Sequence, residues 1–178
     1  MKKISLFTLF LFIIVNFSCE RDDICPESTP TTPSLIIDVF DIDSQESKKN
    51  VFGLLVAGVD RNDILPGYGI VSADKLILPL KTSENSTQYR LFKNTTINDN
   101  GTPDDPDDDY AEGNVDVITI NYSPELVFVS RACGYKTIFT NVTLTIEQDG
   151  DNWIKSKQSI NDNQSVEDET AAHFNIFH

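Results

Sequence analysis

Two short stretches decide the fold: "DVITINY" at residues 116–122 and "VTLTI" at residues 142–146. In each stretch apolar and polar side chains alternate, so one face of an extended chain is apolar and the other polar. An alternation with a period of two is typical of a β-strand that covers a core on one side. The residues predicted to face the core are Ile118, Ile120, Tyr122, Val142, Leu144 and Ile146.

Similar patterns recur on both sides of these stretches. Leu35, Ile37 and Val39 share one face of a first predicted strand. Residues 51–59, "VFGLLVAGV", are apolar on both faces, which is typical of a central strand. In "KLILPL", Pro79 donates no ladder hydrogen bond, so this strand is predicted at a sheet edge or a bulge. Further predicted strands are "TQYRLF" (87–92), "ELVFVSR" (125–131), "NWIKSKQSI" (152–160) and "AHFNIF" (172–177).

The spacing of these strands predicts the fold class. Turn-forming residues separate the strands, and Asp149-Gly150 favours a tight hairpin that returns the chain through Trp153. No apolar pattern with helical period extends over about 12 residues. We therefore expect an all-β antiparallel sandwich of about nine or ten short strands, immunoglobulin-like in layout. Within it, Trp153 is assigned to core packing.

The first 18 residues have the features of an export signal. Lys2 and Lys3 precede an apolar run, residues 4–15, that is shorter than the roughly 20 residues a membrane span requires. "NFSC" then resembles a bacterial lipobox, in which a small residue, here Ser18, precedes a lipidated cysteine, here Cys19. Asn16 departs from the usual leucine. The alternative is an ordinary secretory signal followed by a chance cysteine.

The charge balance excludes some partners. Removing residues 1–18 leaves 178 − 18 = 160 residues, with 14 − 2 = 12 basic and 28 acidic side chains. A chain this acidic lacks the basic face that nucleic acids require, and its charge does not hold it on anionic lipid. A lipid on Cys19 would supply that attachment. Residues 19–34, rich in Thr and Pro, are interpreted as a tether, and residues 35–178 as one domain.

Two cysteines remain beside Cys19. An exported chain meets an oxidising compartment, so Cys25 and Cys133 are predicted to form a disulfide. The alternative is a nucleophilic or redox-active Cys133, which requires a low thiol pKa and a nearby base.

Several motifs resemble a known group of proteins. They are "SCERDDICPESTPTTP" (18–33), "VSRACGYK" (129–136), "NWI" (152–154) and "AHFNIFH" (172–178). Together they resemble uncharacterised lipid-anchored β-sandwich lipoproteins of the Bacteroidota. The resemblance implies an outer-membrane lipoprotein and assigns no activity. "ERDD", residues 20–23, further resembles a signal for surface display in such lipoproteins; the alternative is a solvated charged tail.

An acidic insertion, residues 98–113, is the most suggestive local motif. Set against a calcium-binding loop, Asn98, Asn100, Asp104 and Asp107 fall at ligand positions, although Thr96 stands where the first Asp is expected. The alternative is a solvated loop of turn-forming residues.

Catalytic motifs are absent from the sequence. His173 and His178 are five residues apart on a predicted strand, so they point to opposite faces and do not chelate one metal together. No nucleophile elbow, phosphate-binding glycine loop or Cys-x-x-Cys motif occurs. Arg131 is interpreted as the inward partner of a carboxylate or as an interface anchor.

Two classes of function follow. The first is a non-enzymatic module that binds an envelope protein, such as an outer-membrane β-barrel, and needs no cofactor. The second is an envelope enzyme acting on glycans, or a glycan-binding or calcium-dependent adhesion protein. An exposed apolar patch would favour the first, and a concave pocket with two carboxylates about 5–9 Å apart would favour a glycosidase.

Overall fold

The structure, a computed structural model, describes residues 24–60, 63–160 and 164–178. Across these residues the only helical element is a 3-10 turn, Pro106–Asp108. No helix within the described ranges is long and apolar enough to cross a membrane. The predicted all-β class is confirmed. The strands are β1 Leu35–Phe40, β2 Val51–Gly58, β3 Val71–Ala73, β4 Lys75–Leu78, β5 Ser86–Asn98, β6 Tyr110–Ser130, β7 Gly134–Ile146, β8 Ser156–Ser159 and β9 Phe174–Phe177.

Two sheets share one core. The four-stranded sheet has the order β4-β1-β9-β8, and the five-stranded sheet has the order β3-β2-β5-β6-β7. All pairings are antiparallel except β1 with β9, which run parallel. Residues of both sheets join one buried cluster, to which β1 contributes Leu35 and β6 contributes Ile120. This arrangement is a β-sandwich.

The alternation read from the sequence predicts the faces correctly. Ile118, Ile120 and Leu144 are almost fully buried between the sheets. β2 is apolar on both faces, because Leu54 and Val56 belong to the main core while its alternate residues belong to a smaller cluster on the other face. β4 is an edge strand, as the proline after it predicts. Trp153 is 4% exposed, which confirms its assignment to packing.

The predicted hairpin at Asp149-Gly150 is wrong. β7 lies in the five-stranded sheet, whereas β8 pairs with β9 in the four-stranded sheet. The connection therefore crosses from one sheet to the other. Gly150 does adopt a positive φ of 98°, so the turn forms locally, but Trp153 and Ile154 then enter the core instead of pairing back on β7.

Gly53 allows β2 and β5 to approach closely. Its φ is 58°, and a Cβ there would lie 2.8 Å from the backbone nitrogen of Thr95. The register of β5 and β6 shifts between Lys93 and Thr96, so β5 bends at this contact. A side chain at position 53 would meet both a strained φ and the backbone of the neighbouring strand.

The predicted signal peptide, residues 1–18, lies outside the described residues. The same holds for the predicted lipidation site Cys19 and for residues 20–23. The boundaries of the tether and of a single domain stay predictions.

Candidate functional site

The strongest candidate is the outer half of the β6–β7 hairpin. β5 pairs with β6 as far as Asn121, and from Ser123 to Ser130 the paired neighbour of β6 is β7. We call residues 123–130 and 134–140 the arm. At about 3.3 Å per residue, β6 extends about 30 Å beyond its last pair with β5.

A disulfide closes the tip of the arm, which is the turn at residues 131–133 between β6 and β7. Cys25 and Cys133 are joined, with their Cα atoms 4.8 Å apart, which confirms the predicted pair. The segment after Cys25, residues 26–34, runs back along the arm toward β1. The backbone nitrogen of Thr137 donates to Oγ1 of Thr32 at 2.9 Å, on the edge of β7 that faces away from β6. Because its sulfur is bonded, Cys133 offers no thiolate for the nucleophilic alternative.

The arm leaves its apolar side chains uncovered. Leu126 is 74% exposed, Phe128 56% and Tyr135 65%. The rings of Phe128 and Tyr135 contact each other edge to face, with centroids 5.4 Å apart. In contrast Phe139, at the base of the arm, is fully buried. The sequence predicted an apolar strand here; the structure adds that little covers it.

Arg131 lies at the tip beside the disulfide. Its side chain is exposed, and no ion pair joins it to a carboxylate of the described residues. The interpretation of Arg131 as an inward salt-bridge partner is therefore wrong. The reason is that β6 leaves the body of the sandwich before it reaches this residue. A groove of about 520 Å³ borders the tip and includes Ile24, Val129 and Arg131 in its lining.

A second groove, of about 530 Å³, lies between β2, β5 and the segment after β4. Lys81 projects into it and donates to Asp60 and, at 2.9 Å, to Glu84. These two hydrogen bonds, the one to Asp60 first, raise the pKa of Lys81. Burial raises the pKa of Tyr89 in the same groove to about 12. Both carboxylates are held by one lysine, an arrangement typical of a surface ion-pair network.

The acidic insertion connects β5 to β6, as predicted, but its boundaries differ. Asn98 ends β5 and residues 110–113 begin β6, so the loop itself is residues 99–109. Its hydrogen bonds converge on Asp108, which accepts from Nδ2 of Asn100 at 3.0 Å and from Oγ1 of Thr102 at 2.8 Å. These bonds, that from Asn100 first, lower the pKa of Asp108.

The predicted calcium ligands lie in or beside this loop. Asn98 accepts a hydrogen bond from the backbone nitrogen of Asn100 at 2.9 Å, while Asp104 and Asp107 are exposed. Throughout the described part of the chain, no group of three or more His, Cys, Asp and Glu side chains is placed to hold a metal ion. A calcium site at these four residues stays a prediction.

Sequence reasoning missed a buried carboxylate at Asp116. It is fully buried on the core face of β6, where Oδ1 accepts from the nitrogen of Trp153 at 3.1 Å and Oδ2 from that of Ile154 at 2.8 Å. Burial raises its pKa, and these two bonds oppose the shift. The signal was present in the sequence, since Asp116 stands two residues before the inward Ile118. Its role is to hold the crossing between the sheets.

The two histidines have separate buried surroundings. Nδ1 of His173 accepts from the backbone nitrogen of Ile36 at 3.0 Å. Nδ1 of His178 lies 3.0 Å from Nζ of Lys93, and the rings of His178 and Trp153 pack edge to face. Burial is the main cause that lowers the pKa of each imidazole; the charge of Lys93 adds to this at His178. Both histidines are therefore in contacts typical of packed structural residues.

The fold and the bonded tail define a disulfide-containing β-sandwich protein. The chain belongs to a family of unknown function, DUF6452, whose family model matches residues 53–178. Neither a curated protein nor a solved structure matches the chain. The immunoglobulin-like layout stays a prediction.

Proposed function

We propose that this protein is a lipid-anchored, non-enzymatic interaction module of the bacterial outer membrane. The observation that carries the proposal is the disulfide between Cys25 and the tip of the arm. Such a bond is typical of an exported chain. It also joins the tip of the arm to Cys25, which lies six positions after Cys19, the residue proposed to carry the lipid.

The lipid would act as the attachment that the charge of the chain does not provide. Each buried methylene of an acyl chain contributes about 0.8 kcal/mol, and several chains on one cysteine act together. The resemblance to lipoproteins of the Bacteroidota supports the outer membrane as the location. "ERDD" at residues 20–23 supports display on the outer surface.

The proposed partner is another envelope protein, such as an outer-membrane β-barrel. The 28 acidic side chains of this protein give it a field that favours a partner with a basic surface. In the groove near Lys81, the ion pairs with Asp60 and Glu84 favour a surface role over paired acid and base catalysis.

Metabolic labelling with a clickable fatty acid tests the anchor. Cys19→Ala should abolish labelling and release the protein from the membrane fraction. The matched control replaces both Cys25 and Cys133 with serine. It should keep the label, because the label is expected on Cys19, which this variant retains, and not on the two cysteines that are bonded to each other. Labelling that persists in Cys19→Ala would refute the anchor.

Copurification tests the partner. The tagged protein is extracted from its membrane in mild detergent, and the proteins retained with it are identified. A single envelope protein retained with the native chain, and lost at high salt, is the expected result. Recovery of the chain alone, in an extract where it remains folded, would contradict an interaction module.

A further inference from the structure

We propose that the tip of the arm lies in the membrane interface, with Leu126, Phe128 and Tyr135 against the lipid. This inference rests on the proposed anchor at Cys19 and adds an orientation to it. The arm would then lie between the membrane and the body of the sandwich.

Chain length places the tip close to the bilayer. Cys25 is disulfide-bonded to Cys133, and it lies six positions after Cys19. Even fully extended, six residues span only about 20 Å. A lipid on Cys19 therefore holds the tip within that distance of the membrane, whatever path residues 19–24 follow.

The exposed side chains at this place are of the kind that membrane interfaces favour. Phe128 and Tyr135 form an exposed aromatic pair, and Leu126 lies two residues before Phe128 on the same exposed face of β6. On the tail side of the disulfide, Ile24 is 79% exposed. Aromatic rings with apolar neighbours gather at the headgroup level of bilayers, and a tyrosine hydroxyl there stays in contact with water.

The charge distribution fits the same orientation. Residues 123–140 contain one acid, Glu125, and two bases, Arg131 and Lys136. Residues 98–113, at the opposite end of β6, contain seven acids and no base. At about 3.3 Å per residue, the 20 steps of β6 from Tyr110 to Ser130 amount to about 66 Å of extended chain. In this orientation the strongly acidic end of β6 is the end away from the anionic headgroups that would repel it.

A protein partner or a second copy is the competing occupant of this patch. The tether favours lipid, because it holds the disulfide, which lies beside this surface, within about 20 Å of the bilayer. An occupant other than lipid would have to reach the patch inside a gap no wider than the extended tether.

The test measures how deeply single tryptophans enter vesicles. Phe128→Trp places the probe in the arm, and Tyr110→Trp places a matched aromatic probe at the acidic end of the same strand. The full-length gene is expressed in a bacterium that processes lipoproteins, and each purified variant is reconstituted into phosphatidylethanolamine and phosphatidylglycerol vesicles with brominated acyl chains. The parent protein gives the background of the buried Trp153.

Phe128→Trp should lose most of its added emission in brominated vesicles, whereas Tyr110→Trp should keep its own. Fatty-acid labelling of the same samples separates the two proposals. A labelled protein whose Phe128→Trp emission is unquenched, or quenched no more than that of Tyr110→Trp, overturns the orientation and leaves the anchor standing. An unlabelled protein that is still quenched at position 128 overturns the anchor alone, and an unlabelled, unquenched protein overturns both.

Photo-crosslinking in cells gives the remaining outcome. A benzophenone amino acid at position 128 should give no protein adduct if lipid surrounds it. An adduct with another protein, or with a second copy of this chain, overturns the inference in favour of that occupant.

Discussion

The two halves of β6 have similar apolar patterns and opposite surroundings. In the first half, β5 and β7 pair on either side, and Ile118 and Ile120 are buried against the opposing sheet. In the second half, β7 is the one strand of the described residues that pairs with β6, and Leu126 and Phe128 are largely exposed. A period of two thus specifies which side chains share a face, while a second layer decides whether that face is covered.

The largest expected effect comes from removing the disulfide that joins the arm to the segment at residues 24–34. Replacing Cys25 and Cys133 with serine removes a link across 108 residues. In the chain-entropy account, a loop of about 100 residues stabilises the folded state by about 4.7 kcal/mol. Urea unfolding should show a large fall in midpoint, and limited proteolysis should cut residues 26–34 first. An unchanged midpoint with the same m-value would contradict this role.

Truncating one phenylalanine at the buried base of the arm and one near its exposed end compares covered and uncovered positions directly. Phe139→Ala empties a fully buried site and should cost about 3–5 kcal/mol. Phe128→Ala, four positions along the same face of the hairpin, should change stability by less than about 0.5 kcal/mol. Equal losses in chemical denaturation would show that the arm is packed in solution.

Removing one carboxylate in each half tests the next effect. Asp116→Ala leaves the backbone nitrogens of Trp153 and Ile154 without their acceptor, which should cost about 2–4 kcal/mol. Glu125→Ala, in the arm, is the control, and it should cost little, because the Glu125 side chain is exposed and its carboxylate accepts a hydrogen bond from the Thr140 hydroxyl. Thermal melting of both variants measures the difference, and a tolerant Asp116 site would show that the crossing is held by packing alone.

The smallest expected effect is a pH dependence that belongs to the body. Burial lowers the pKa of His173 from 6.5, so the unfolded chain binds the proton more readily than the folded protein. The contribution of His173 to the free energy of unfolding is therefore present in full above pH 6.5, and it is lost as the pH falls through the lowered pKa. His178 has the same sign, while Asp116, whose pKa burial raises from 3.8, gains stability as the pH falls through its own raised value.

Urea midpoints measured from pH 7.5 to 5.5 check the histidine effect. The native protein should lose stability across this range. His173→Asn, whose amide oxygen still accepts from Ile36, should lose less. Identical slopes in the two proteins would assign the dependence to other groups.

Local pattern was enough for much of the fold. The alternation at Ile118 and Ile120 predicts the buried face of β6, and the proline after β4 predicts an edge. The pairing of Cys25 with Cys133 was predicted from the expected export of the chain and from the number of cysteines, and the structure contains this bond. These features depend on side-chain period, backbone donors and compartment, all of which are local or compositional.

Long-range geometry was not accessible in the same way. Asp149-Gly150 specifies a turn, but the sheet that receives the chain after it depends on Asp116, more than 30 residues earlier, capturing the nitrogens of Trp153 and Ile154. Arg131 and Phe128 are exposed because β6 extends beyond its last pair with β5. This difference in strand length cannot be read from either strand alone.

The sequence by itself therefore determined that this protein is an all-β chain, which face of each strand is apolar, and that it has one disulfide. The tertiary structure decided which faces are covered, where the chain changes sheet and that the bonded tail ends at the tip of an exposed apolar arm. The physical reason is that a strand's period is fixed by its own backbone, whereas its burial is fixed by what other strands and loops bring against it.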